Sequence, residues 1–281
     1  MKTEAPTRPT VGRLMWQQFR YQNRIFWRTP IAAFFTMVFP LMLLILFTAI
    51  FGNDVIEGLG VTTAQFFTPA LAVFAAVSAS YTSLAIGTAI ARDNGILKRV
   101  RGTPIPPWLY ITGRVASAVY LAFVAVVLMM AVGIVFYGVE LIPRTLPAAL
   151  LTFLVGVGCF SALGLFVAAV SPNGETTPAI TNATLLPVAF ISDIFFPVQD
   201  PPRWMELAGD FFPLKPFAQS FRDAFDPTLA GSQFHWSQLA YLTLWGVVAA
   251  ILAIRLFKWE PSAGSGSRRS RRRGKSRLET V

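Results

Sequence analysis

Two residue types that build reactive and cross-linked sites are almost missing from this chain. It carries one cysteine, Cys159, and one histidine, His235, in 281 residues. A single thiol excludes an intrachain disulfide, and with it a disulfide-built secreted scaffold. A single imidazole, set in a polar loop, argues against a His-based metal site and against a Ser-His dyad. Acids are scarce too: 14 Asp and Glu stand against 24 Lys and Arg, a net charge of +10. No repeat of fixed period and no second domain stand out. A phosphate-binding loop is also lacking. Gly274-Lys275-Ser276 has the ending of one, but the motif requires Gly-x-x-x-x-Gly-Lys-Ser/Thr after a strand, and the position of its first glycine is Arg269. ATP hydrolysis by that route is excluded, so an ATPase that drives this chain is a separate polypeptide.

What the chain does have is long uncharged apolar stretches. Apolar residues make up 54% of it, with 25 Phe, and the mean hydropathy is +0.55. Residues 31–51, 65–91, 115–139, 145–174 and 236–254 contain no charge. A sixth stretch, 176–192, is shorter and runs on past Asp193 to Val198. A bilayer core of about 30 Å needs roughly 20 apolar residues in a helix. One central Arg or Asp costs about 2.5–3.5 kcal/mol on insertion scales, so such clean runs mark membrane spans. The fold class is all-α, a polytopic membrane protein with six transmembrane helices.

The basic residues orient it. Residues 1–30 hold six Lys/Arg, whereas 52–64 hold none and carry Asp54 and Glu57. Residues 92–114 hold five, 140–144 one, and 199–235 three against five acids. The tail from Lys258 holds eight. Positive charge stays on the cytoplasmic side, so an even number of spans with both termini in the cytoplasm of a bacterial inner membrane is expected. The same placement at membrane edges reads the net charge as attraction to anionic lipid, not to nucleic acid. No cleavable signal peptide is expected, because the first apolar run is too long and lacks a small-residue cleavage site. The chain divides into a cytoplasmic segment 1–30, a six-span region 31–257 and a basic tail 258–281 expected to be disordered.

Three segments between spans carry structure of their own. Residues 10–28 read as an amphipathic helix, with Arg13, Arg20, Arg24 and Arg28 near one face and Trp16, Tyr21 and Trp27 suited to an interfacial depth. A plain positive flank is the other reading. Residues 92–107 read as a short basic helix that Asp93 or Asn94 caps, with Lys98, Arg99 and Arg101 outward and the prolines from Pro104 ending it. Held between two spans, such a helix is a lever on both; an ordinary connector is the alternative. Residues 194–230 are too polar to span and too apolar for a plain loop. Trp204, Leu207, Ala208 and Phe211 recur at helical spacing, as do Phe217, Phe221 and Phe225. An outer re-entrant hairpin before the last span fits, and a surface-lying hairpin is the alternative. Pro40, Pro69 and Pro187 interrupt spans one, two and five. Asp193 is the one acid near a span, and no second intramembrane charge offers it a proton relay.

Three motifs resemble the membrane permeases of ABC type-2 exporters, the drug- and polysaccharide-efflux permease family. Residues 91–104 are similar to that family's Glu-Arg-Glu-x-Gly-Thr-Leu-Glu-Arg-Leu-x-x-Thr-Pro. Arg92, Gly95, Leu97, Arg99, Thr103 and Pro104 match, Asp93 is a conservative change, and Ala91, Ile96 and Lys98 depart. Residues 165–175 resemble the family's entry into span five. Phe195-Phe196-Pro197, then Trp204 and Phe212-Pro213-Leu214, resemble its outer re-entrant hairpin, with Asp193 where the family usually has Gly. The likeness covers about residues 10–258.

The resemblance implies a transport subunit that is not an enzyme. It implies a dimer with a second permease copy or homologue, and two cytoplasmic ATPase subunits that hold the ATP and Mg. It further implies that Arg92, Asp93, Gly95, Leu97, Arg99, Thr103 and Pro104 couple the chain to its ATPase, and that Asp193, Phe196, Pro197, Trp204 and Pro213 belong to the hairpin. Interhelical surfaces rich in Phe, Ala and Gly, with no extramembrane domain, favour an amphiphilic or hydrophobic cargo, a drug or lipid-like molecule. An ion-coupled carrier and an intramembrane lipid-modifying enzyme are the competing classes. The first needs a proton relay and the second converging polar groups, and only Asp193 is on offer for either.

Overall fold

The computed structural model describes residues 10–56, 58–102, 106–196 and 201–257. Among these residues the secondary structure is helical, with one isolated bridge between Val55 and Thr62. Helix α1 spans Val11–Trp27. α2 covers Pro30–Phe51 and α3 Thr63–Asp93. The short α4, Ile96–Arg101, follows. α5 spans Pro107–Tyr137, α6 Leu146–Val170 and α7 Thr177–Ile191. α8 and α9, Arg203–Phe211 and Leu214–Asp223, precede α10, Trp236–Leu256.

Five helices (α2, α3, α5, α6 and α10) are long and apolar enough to cross a membrane. The chain is an all-helical polytopic membrane protein. The remaining expected span is α7, which has 15 residues. At 1.5 Å per residue it rises about 22 Å, less than the hydrocarbon thickness. Pro187 lies inside it, and the chain turns at Ser192 and Asp193.

Helix α3 is the axis of the bundle. Every residue from Thr63 to Tyr81 is buried. A helix apolar all round belongs inside a structure, and α3 packs against α2, α5, α6 and α9. Phe67, Leu71 and Phe74 join Leu44 and Phe47 of α2 and Met129 of α5 in the core. Outward faces stay apolar: Phe35, Ile45, Phe136, Val247 and Ile254 are exposed. Apolar surface on this scale needs lipid or protein against it.

Two spans are not regular α-helix. α2 opens into a π-helical segment at Phe34–Val38 and α3 into another at Ser78–Ser83. Pro40 cannot donate a backbone hydrogen bond to the preceding turn, which gives a local cause for the first. The segments touch: Thr36 and Ser83 share a hydrogen bond of 3.2 Å between hydroxyls. The second also carries Tyr81, whose hydroxyl lies 2.6 Å from that of Thr184 on α7. Gly164 of α6 makes room for it. A Cβ there would stand 2.7 Å from the Tyr81 carbonyl oxygen and 3.0 Å from that of Ser80.

Gly164→Ala therefore forces backbone apart, a change that costs about 1–3 kcal/mol. Gly158, on the same helix, has nothing within 4 Å of its virtual Cβ. Thermal unfolding of the detergent-purified chain should show a lowered midpoint for Gly164→Ala and an unchanged or raised one for Gly158→Ala.

Candidate functional site

The end of α3 where the sequence places the family-like motif is built around one guanidinium. Arg92 is 4% exposed. Its Nη1 donates to the Ala168 carbonyl at 2.9 Å and its Nη2 to the Ser171 carbonyl at 2.8 Å. Those carbonyls end α6, where four backbone acceptors lack helical partners and the dipole is negative. Arg92 is thus a charged C-terminal cap on a helix about 76 residues further along the chain. Its Nε lies 3.3 Å from Asp93 Oδ1. The other Asp93 oxygen accepts the Gly174 N–H at 2.6 Å, in the turn leading into α7. Gly174 lets that turn lie on α3, since a Cβ there would be 3.0 Å from Ile90 Cα and 3.1 Å from Ile90 N. Side by side, the two residues staple the end of α3 to the α6–α7 turn.

The cap expected from Asp93 or Asn94 is not made. Neither Asp93 nor Asn94 caps α4: Asp93 is the last residue of α3, and the residue before α4 is Gly95, with φ +69° and no side-chain cap. Left-handed backbone costs an L side chain roughly 1–2 kcal/mol, and that is the reason for glycine at the corner. α4 then turns Leu97 inward, fully buried beside Ala91 and Tyr110, with Phe257 beyond α10 packed on the same cluster. Lys98 and Arg99 are exposed. The matched residues split into two groups. Arg92, Asp93 and Leu97 hold the element to the bundle, and Arg99 projects from it. Thr103 and Pro104 lie outside the described residues.

At the opposite end, about 40 Å along α3 at 1.5 Å per residue, the hairpin packs against the bundle. Asp193 has φ +54°. The residue that stands in place of the family's glycine thus occupies the backbone region that favours glycine and that Asp tolerates. Phe196 is exposed and its ring lies 6.0 Å from that of Phe47. Pro213 is buried and precedes α9. Phe217, Phe221 and Phe225 all turn into the core, whereas Trp204, Leu207 and Phe211 of α8 face outward. Pro197 lies outside the described residues.

Sequence reasoning missed several polar ties that fasten this end. Gln65 donates through Nε2 to the Phe225 carbonyl and, at 3.2 Å, to that of Glu140. Its Oε1 accepts the Glu140 N–H at 2.7 Å. Thr145 donates to the Ala224 carbonyl at 2.5 Å. The available signal was a polar side chain at the edge of an apolar run; its partners lie 75 and 160 residues away. Among the described residues no group of three or more His, Cys, Asp or Glu could hold a metal ion.

A multi-pass helical bundle, with a short basic helix pinned to one end and a folded hairpin at the other, has the build of a transport subunit. The sequence profile of the family described as ABC-2 type transporter matches residues 13–225, and the chain belongs to that family. It is the membrane permease of an ABC transporter, a class that works with an ATP-binding partner subunit. No curated protein matches the chain.

Losing the Arg92 fork leaves two buried carbonyls of α6 without donors. Hydrogen bonds to a charged group are worth about 1.5–3 kcal/mol. Arg92→Gln should lower the unfolding midpoint in detergent by that equivalent, and Arg92→Lys, which keeps the charge and loses the fork, should fall between it and the unmodified chain. An unchanged midpoint in Arg92→Gln would remove the staple from the account.

Proposed function

We propose that this permease exports an amphiphilic or hydrophobic molecule, a drug or lipid-like compound, and that the element 92–104 docks on the ATP-binding partner. The observation that carries this reading is the division within that element. Arg92, Asp93 and Leu97 fasten it to α3, to the α6–α7 turn and to the start of α5, while Lys98 and Arg99 are exposed on a six-residue helix. A docking handle needs both halves. An exposed cationic surface meets an acidic patch on the partner, and a rigid root passes the displacement to the spans.

ATP and Mg are held by the partner, and this chain contributes motion. ATP binding moves the equilibrium only through a tighter fit to one of two states. In our reading that state draws two handles together, one from this chain and one from a second permease copy or homologue. The paired π-helical segments of α2 and α3 are where the spans give. π-Segments inside α-helices recur at functional positions. α7 completes six crossings, with both termini in the cytoplasm of a bacterial inner membrane. The apolar cargo class follows from the character of the interhelical surfaces, which offer Phe rings and hydroxyls such as Tyr81 and Thr184 and no charge within α2 or α6. A cargo of that kind has an apolar body and few polar groups to satisfy.

Arg99→Glu reverses the exposed charge without touching the root. It should leave membrane insertion and thermal unfolding unchanged while co-purification with the ATP-binding partner and transport in cells fall at least tenfold. Gly95→Val strains the left-handed corner and should reduce transport as well. Transport at the unmodified level in both variants would rule out docking through this element.

A further inference from the structure

A cavity of about 330 Å³ opens beside the end of α3 farthest from Arg92, lined by Gln65, Phe66, Arg222, Asp223, Asp226 and Leu229 among others. Its charges are arranged in an unusual way. The Arg222 guanidinium stacks over the Phe66 ring, 4.5 Å from the centroid. Among the described residues its one hydrogen bond is a long one, 3.4 Å from Nη1 to the Asp193 carbonyl. No carboxylate forms an ion pair with it within 4.0 Å among the described residues. Stacking occupies one face of the fork and leaves its edge donors open to the cavity. Burial pulls the guanidinium below its usual range and pushes Asp223 above the usual carboxylate range. Asp223 Oδ2 lies 3.2 Å from His235 Nε2. Asp226 uses one oxygen, Oδ1, for the backbone N–H and hydroxyl of Thr228, at 2.8 and 2.6 Å, and among the described residues its second oxygen has no hydrogen bond.

A simple anion would meet Arg222 but face two carboxylates. A simple cation would meet Asp226 but face a guanidinium. A small zwitterion with both charges a few ångströms apart satisfies both walls. We propose that this cavity binds a phosphoethanolamine group, its phosphate on the edge of Arg222 and its primary ammonium on the free oxygen of Asp226. Arg forks match phosphate oxygens in pairs. A carboxylate with a free lone pair takes N–H donors, which a primary ammonium has and a trimethylated one lacks. The group is small enough for the cavity. It exists both as the head of an aminophospholipid and as a free soluble compound. This proposal does not depend on what the transporter carries or on how it meets its ATPase.

The test uses the full chain in detergent and reads the unfolding midpoint and the apparent affinity. Probes are dihexanoyl phosphatidylethanolamine, its phosphatidylcholine and phosphatidylglycerol counterparts, soluble phosphoethanolamine, ethanolamine and inorganic phosphate. The ethanolamine lipid should raise the midpoint in a saturable way and bind at least tenfold tighter than either counterpart; ethanolamine or phosphate alone should not match it. A shift with soluble phosphoethanolamine as well places recognition in the head group alone. A shift with the lipid only places it at the head group of a seated lipid. Both results support the site. Asp226→Asn keeps an oxygen for Thr228 and removes the charge, and Arg222→Gln removes the fork. Each should weaken the ethanolamine lipid at least tenfold, and Asp226→Asn should do so with the ligand-free midpoint unchanged. Equal binding of the three lipids, no saturable shift with the ethanolamine lipid, or full affinity in Asp226→Asn would overturn the assignment.

Discussion

The capping of α6 by Arg92 is the contact on which the functional reading rests. A short helix between two spans can move them only if its root is stiff. The root here is a buried guanidinium bonded to two carbonyls on another span, with its neighbour Asp93 holding the next turn. Burying such a charge in protein is unfavourable unless its donors are met. Once met, the fork and the helix dipole reinforce each other. The ends of α3 and α6 and the start of α7 are therefore one mechanical piece, and Leu97 seats α4 on that piece through a small apolar cluster shared with α5 and the end of α10.

From that fixed end the character of the contacts changes toward the middle of the bundle. α3 is solid apolar core for most of its length, then widens at Ser78–Ser83 beside the matching segment of α2. The contacts across this region are hydroxyl pairs, Thr36 with Ser83 and Tyr81 with Thr184. Such pairs exchange partners at little cost compared with a charged staple. In the proposed mechanism, stiff ends and a hydroxyl-paired middle would serve a gate driven from one side. The far end is closed again by backbone-directed bonds from Gln65 and Thr145, with the aromatic face of α9 turned inward.

Much of this was legible in the sequence, because lipid allows few solutions. Uncharged runs marked the five long spans. The helical spacing of Phe217, Phe221 and Phe225 anticipated a buried face, which the structure has. The glycine-like role of position 193 was visible only as a departure from a family pattern and gains its meaning from φ +54°. What the sequence hid were long-range polar partners. Nothing local says that Arg92 turns inward while Arg99 turns out, since both flank an apolar run and the acceptors of Arg92 lie 76 and 79 residues away. The same holds for Gln65. The capping expectation for Asp93 failed for a related reason: its carboxylate is drawn to the Gly174 N–H, leaving the turn to glycine.

Stapled through Arg92 and Asp93, the handle and the α6–α7 turn should move as one body. Hydrogen–deuterium exchange on the full chain, with Arg92→Gln compared against the unmodified protein, tests it most directly. Backbone amides of 90–102 and of 168–176 should lose protection together, while those of α9 and the middle of α10 keep theirs. Loss confined to one of the two segments, or no loss in either, would contradict it.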